Sequence, residues 1–224
     1  MIIHKGYFIA SLSLFFVVMA LNFPFPHATY QRGVHSAVVL GIPVSTTDGI
    51  MWLGWLYITM IAAAVVLLVK ALDKYKLRLS LLSLLLVNAL PIATASAYER
   101  TIASGVYAVS YESGESVCEF NRTGNEPMKV ECELMFTNHS NEAVFFTLSF
   151  MERYSGYKEF NEVLSLLNEN GPYEVSLRGS ERKVVSISKE MNVSTTSSAG
   201  RFGGGSFNGP NLKIEGDDGK TRTY

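Results

Sequence analysis

Met128-Lys-Val-Glu-Cys-Glu-Leu-Met-Phe136 and, a short turn later, Val144-Phe-Phe-Thr-Leu-Ser-Phe150 place apolar side chains at every second position. A period of two marks half-buried β-strands, because successive side chains leave a strand on opposite faces. Met128, Val130, Cys132, Leu134 and Phe136 form one apolar face, alternating with Lys129, Glu131, Glu133 and Met135. Val144, Phe146, Leu148 and Phe150 form another, alternating with Phe145, Thr147 and Ser149. The intervening Thr137-Asn-His-Ser-Asn141 is turn chemistry, so the two runs are expected to pair as an antiparallel hairpin.

Working outward, weaker strand signals lie at Val106–Tyr111, Ser116–Phe120, Tyr173–Leu177, Lys183–Ser188 and Leu212–Ile214. Seven short strands with frequent turns predict a two-sheet sandwich over residues 98–224, enough chain for one core. Tyr157–Leu167 reads either as a short helix, with Phe160, Val163, Leu164 and Leu167 on one face, or as a strand entering Asn168-Glu-Asn-Gly171; the helix is preferred. Cys118 and Cys132 are the only cysteines. Their midpoint, residue 125, lies inside the turn-like Asn121-Arg-Thr-Gly-Asn-Glu-Pro127, so folding about that turn sets them opposite each other. A cross-strand disulfide is expected, provided the domain meets an oxidising exterior.

The succession Leu134–Asn138, Ser140-Asn141, Val144–Phe150 and Leu177-Arg-Gly-Ser-Glu-Arg-Lys-Val-Val-Ser-Ile187 resembles extracytoplasmic immunoglobulin-like sandwiches across roughly residues 105–190. The resemblance implies a fold and transfers no functional residues. Both tryptophans, Trp52 and Trp55, lie upstream, so the Cys-Trp-Cys pattern of antibody domains is missing.

Upstream of this region the composition changes. Residues 1–97 carry six Lys or Arg against two acids, a balance of +4, whereas residues 98–224 carry −5. A basic, apolar first part before a mildly acidic, polar second part reads as a membrane anchor followed by an exposed domain. Three stretches approach the ~20 apolar residues that cross a bilayer: Tyr7–Phe23, Ile50–Val69 and Leu79–Ala97. The expected architecture is therefore α + β, with three transmembrane helices and a β-sandwich. Lys70-Ala-Leu-Asp-Lys-Tyr-Lys-Leu-Arg78 holds four bases and resists translocation, and Lys5 places the N-terminus on the same side. The connection 24–49 contains only Arg32 as a base and falls outside, as does the region from residue 98. Trp52, Trp55 and Tyr57 mark the outer interface of the second span. Compactness and positive-charge bias point to a bacterial plasma membrane, with the N-terminus cytoplasmic.

Within the third span, Asn88 and Pro91 are read as packing features, Asn88 seeking Ser11, Ser13 or Thr59 on a neighbouring helix. Lys74, Lys76 and Arg78, the Leu-rich run and Ala95-Ser-Ala97 also follow the layout of a secretory signal, making Ala97 a candidate cleavage position. The apolar run Ala37–Val44 is expected to lie on the bilayer or dock beneath the outer domain.

Chemistry-bearing motifs are weak. His27 and His35 have no nearby carboxylate before Asp48 and read as solvated. Gly200-Arg-Phe-Gly-Gly-Gly-Ser206 lacks the Gly-Lys-Ser/Thr ending of a phosphate loop and reads as a linker or long hairpin loop. Glu215-Gly-Asp-Asp-Gly219 does not match a calcium loop and reads as an acidic tail. Asn121-Arg-Thr, Asn138-His-Ser and Asn192-Val-Ser match the glycosylation acceptor at about chance frequency. No catalytic, cofactor or metal site is assigned, and no basic patch suited to nucleic acid is seen.

The expected role is non-enzymatic: lipid-anchored helices present a sandwich that binds or senses a protein partner or another envelope component. Phe145, on the outward face of its strand, is the candidate partner contact. The alternative is an accessory or immunity-type subunit whose helices grip a transporter, channel or membrane enzyme.

Overall fold

The computed structural model describes residues 2–27, 35–40, 42–46, 49–122, 127–151, 158–191 and 204–224. The side chains of residues 35, 36, 46 and 158–160 are outside this description, as are Arg32, Asp48 and the Asn192 acceptor. The chain forms two compact units, residues 1–25 with 35–96, and residues 97–224 with 26–34.

The first unit is built on α1 (Lys5–Leu21), α2 (Trp52–Ala71) and the greater part of α3 (Lys76–Thr101). By length and composition α2 and α3 can each cross a membrane. The expected first span is shorter: α1 has 17 residues, which at the helical rise is about 26 Å, against a hydrocarbon core of about 30 Å. It stops at Asn22, ahead of Phe23-Pro24-Phe25-Pro26, because proline supplies no N–H and excludes helix from the residue before it. α1 and α2 pack through small residues. Ser11 Oγ donates to Ala64 O at 2.7 Å, and Val18, Ile61 and Leu68 are buried around them. Leu77, Leu85 and Phe16 are each about two-thirds or more exposed, with exposures of 73%, 68% and 68%. Helices apolar on every side suit an apolar surrounding.

The run around residues 37–44 forms a small antiparallel sheet, β1 (His35–Val39), β2 (Ile42–Thr46) and β3 (Gly49–Ile50). Ile42 and Val44 are buried, while Val38, Val39 and Leu40 are exposed. Gly54 lets β2 approach α2, since a Cβ there would lie 1.8 Å from Pro43 O.

The second unit is β-sandwich-like. One sheet centres on β6 (Met128–Asn138). β4 (Val109–Tyr111) and β5 (Val117–Asn121) lie end to end along one side of β6, and β9 (Arg182–Met191) lies along the other. β10 (Gly204–Asn208) adds outside β5. The other sheet runs β12 (Thr221–Thr223), β11 (Leu212–Gly216), β7 (Val144–Phe150), β8 (Tyr173–Leu177). All these pairings are antiparallel. Inward residues of both sheets share one core, with the rings of Phe136 and Phe146 5.6 Å apart. α4 (Lys158–Glu169) adds Val163, Leu164 and Leu167 to that core. The Asn168 side chain completes the join, accepting from Phe150 N at 2.8 Å and donating to Phe150 O at 2.7 Å.

The hairpin expected between residues 128–136 and 144–150 is overturned: β6 and β7 belong to different sheets. Both apolar faces are needed inside, and placing them on facing sheets buries one against the other. Asn138 builds this arch. Its amide donates to Glu142 O and Arg178 O, both at 2.8 Å, and its Oδ1 accepts from Ser140 N and Ser140 Oγ. The β8–β9 connection crosses between the sheets at the same end, with Ser180 N donating to Ser140 O at 2.8 Å.

Two polar segments also differ from expectation. The end of the Gly-rich stretch is strand β10 rather than linker, pairing through its backbone. Glu215-Gly-Asp-Asp-Gly219 is no solvated tail but the turn of the β11–β12 hairpin, closed by Gly216 N to Lys220 O at 2.9 Å. Lys220 bonds the exposed Asp218 carboxylate and holds its pKa below the usual range.

Candidate functional site

Phe145 sits on the outward side of β7, directly opposite Ser176 of β8, and is 56% exposed. Its surroundings are polar. Thr147 pairs with Glu174 across the strands, and Asp217 borders the same shallow depression. Further along this face Lys213 and Glu215 form an exposed ion pair at 2.9 Å. The result is one aromatic surface within a field of hydroxyl and carboxylate groups. Such a surface can seat an apolar partner group, with hydrogen-bonding groups around it.

The outward side of the other sheet carries Glu119 opposite Glu131, with Glu133 two residues further along β6. Lys129 meets Glu131 at 2.7 Å, and this bond holds the lysine pKa above its ordinary value. Like charges directly across a strand pair oppose sheet stability, so Lys129 partly offsets a cost built into this face.

Cys118 and Cys132 are joined by a disulfide, directly in register between β5 and β6 with their Cα atoms 4.0 Å apart. The centre of that register falls at residue 125, within residues 123–126, which lie outside the described residues. Both cysteines are buried.

The other marked residues fall apart spatially. Among the described residues Asn88 makes no bond to a neighbouring helix. Its Nδ2 donates to Leu84 O in its own helix at 3.1 Å, while Ser11 is engaged with Ala64 and Thr59 with Leu56. The self-bond arises because an amide within a helix reaches the carbonyl four residues back more readily than a distant helix. Pro91 is buried within α3, which continues past it, and borders an apolar groove with Phe16, Met19 and Phe23 of the first unit. Ala97 is an exposed residue inside α3, four positions before its end, so an enzyme that cuts extended chain must first unwind it. His27 forms a backbone bridge with Thr223. Of the glycosylation acceptors, Asn121 is exposed at the end of β5, but Asn138 is 1% exposed with its amide bonded on both sides.

Sequence reasoning missed a buried ionic site. Arg222 Nη2 meets Glu99 Oε2 at 2.8 Å, with the two side chains 9% and 13% exposed. Arg222 Nη1 also donates to Tyr107 O at 3.0 Å and Val109 O at 2.6 Å, and the Tyr224 hydroxyl donates to Val109 O. Burial raises the Tyr224 pKa well above the tyrosine range. No local pattern marks these residues: Glu99 lies near the end of α3, Arg222 in β12 and Tyr224 just after it, while Tyr107 and Val109 come from residues 105–111. Ser110 Oγ and His139 Nε2 lie 3.0 Å apart, and no carboxylate hydrogen-bonds the imidazole among the described residues. Nor is any group of three or more His, Cys, Asp or Glu placed to hold a metal among the described residues. Compared with protein-family models, curated proteins and solved structures, the chain finds no match in any of the three.

Proposed function

We propose that this is a non-enzymatic membrane protein of the cell envelope, anchored by three spans, α1 to α3. In this reading it presents an extracytoplasmic, immunoglobulin-like sandwich to a protein partner. The observation that carries the reading is the physical contrast within one chain. Helices with exposed apolar side chains on all sides need lipid around them. The β-rich region instead closes its own core and carries a disulfide, a bond favoured in oxidising compartments. The arches that carry β6 to β7 and β8 to β9 between the sheets support the immunoglobulin-like description. Partner binding is assigned to the β7–β8 face, because Phe145 is its exposed aromatic.

A photoreactive amino acid at position 145, activated in intact membranes, tests this assignment. A discrete crosslinked species is expected, and it should disappear when the probe is moved to a buried position such as Phe146. Absence of any adduct from position 145 overturns the assignment.

A second reading is favoured by one feature, the apolar groove bordered by Phe16, Met19, Phe23, Leu90 and Pro91. In it the helices grip another membrane protein. Probes at Met19 and Leu90, rather than at 145, would then give the adduct.

A further inference from the structure

At one end of the helical unit the chain folds back on itself. Ile3 N donates to Ala71 O at 2.8 Å and His4 N to the same oxygen at 3.4 Å, while Ile2 bridges Leu72. These bonds bring the start of α1 against the connection between α2 and α3. Lys5 thereby joins Lys70, Lys74, Lys76 and Arg78, all exposed, with Asp73 as the one acid in that connection. Among the described residues none of these five cations forms an ion pair with a carboxylate. Ile3 and Leu77, 56% and 73% exposed, stand among them. Positive heads on long apolar stems, interleaved with exposed aliphatic side chains, match the boundary between headgroups and acyl chains.

We propose that this end of the helical unit selects anionic phospholipid headgroups. The proposal rests on the membrane reading above and adds a lipid preference to it. The positive-inside tendency by itself requires only that a basic loop stay behind during insertion. The folded-back N-terminus does something further. It concentrates charge from two separate parts of the chain on one small surface, where each lysine or arginine adds to the attraction for an anionic headgroup.

The test uses the purified full chain reconstituted in phosphatidylcholine vesicles with a trace of spin-labelled lipid. The immobilised fraction of spin-labelled phosphatidylglycerol is compared with that of spin-labelled phosphatidylcholine. At low salt the anionic label is expected to associate at least about two-fold more strongly, with the preference falling toward unity at 1 M NaCl, where the Debye length is about 3 Å. A variant with all five cations changed to Gln, reconstituted from detergent so that insertion in the cell is bypassed, should show no preference even at low salt. Equal association of both labels with the natural chain, or an unchanged preference in the variant, overturns the lipid selectivity alone. No immobilised fraction with either label overturns the membrane reading, and the selectivity with it.

Discussion

Asn138 decides how the two strongest strands of this protein are used. Three of its four hydrogen bonds satisfy backbone from both crossing connections and the fourth meets the Ser140 hydroxyl, so Asn138→Ala leaves two carbonyls and an N–H without that partner. A loss of about 2–3 kcal/mol is expected, seen as faster hydrogen–deuterium exchange in β6 and β7. A longer Asn138→Gln side chain should not restore it. The neighbouring arch gives a paired prediction. A Cβ on Gly179 would sit 2.1 Å from Asn141 O, whereas Ser180 already holds a left-handed φ of 56°. Gly179→Ala should therefore destabilise by about 2 kcal/mol or more, while Ser180→Gly is neutral or stabilising by up to about 1 kcal/mol. Chemical denaturation of the two variants checks the opposite signs.

Tyr224 provides a pH test. Its folded pKa is raised by burial, so the protonated phenol is the form that the native state favours. The stability it contributes is complete below the unfolded tyrosine pKa of about 10 and is lost as pH rises above that value. Unfolding free energy should stay level with respect to this group from pH 7 to 9, then fall by at most about 1.4 kcal/mol per pH unit. Tyr224→Phe should start less stable at pH 7, having lost the bond to Val109 O, and should decline less steeply above pH 10.

Along β9 the distribution of charge protects an edge. Residues 183, 185, 187, 189 and 191 oppose the core-facing positions of β6, yet two of them are Lys183 and Lys189. Both lysines are exposed, and Lys183 Nζ reaches Ser176 O at 3.2 Å. Charge at inward positions of an outer strand discourages another strand from adding to it. Changing both lysines to Val should raise self-association of the full chain in detergent, measured by light scattering after size exclusion. An unchanged mass would show that other features guard the edge.

The β5–β6 hairpin depends on a different device. Its disulfide closes a separation of 14 residues, a constraint worth about 3 kcal/mol in the chain-entropy account. Cys118→Ala with Cys132→Ala should lower stability by that order, and reductant should then have no further effect. The turn-like residues 121–127, which contain the midpoint between Cys118 and Cys132, made this hairpin legible in advance, down to the pairing of the cysteines. The other partners of β6 and those of β7 were not legible, because an apolar stripe specifies which face turns inward and says nothing of which edge is occupied.

For the entire chain, the proposed topology makes one demand: the basic connection 70–78 and the β-rich region lie on opposite sides of a bilayer. Protease added to sealed cells should digest residues beyond α3 while leaving that connection intact, with inverted vesicles giving the reverse pattern. Protection of the β-rich region in sealed cells would invert the orientation.

Composition and periodicity alone established the division into apolar helices and a β-rich region, the inward faces of the main strands and the cysteine pair. These follow from local spacing and from the need to keep apolar side chains from water. Folding in three dimensions decided the rest. The β6–β7 arch arises because two apolar faces bury each other better across sheets than side by side. β10 and β12 form from Gly-rich and charged segments because neighbouring strands offer unpaired backbone groups, which carry no side-chain signature. Glu99 and Arg222 come together because the fold brings residues 123 positions apart into one water-poor place, where each charge requires the other.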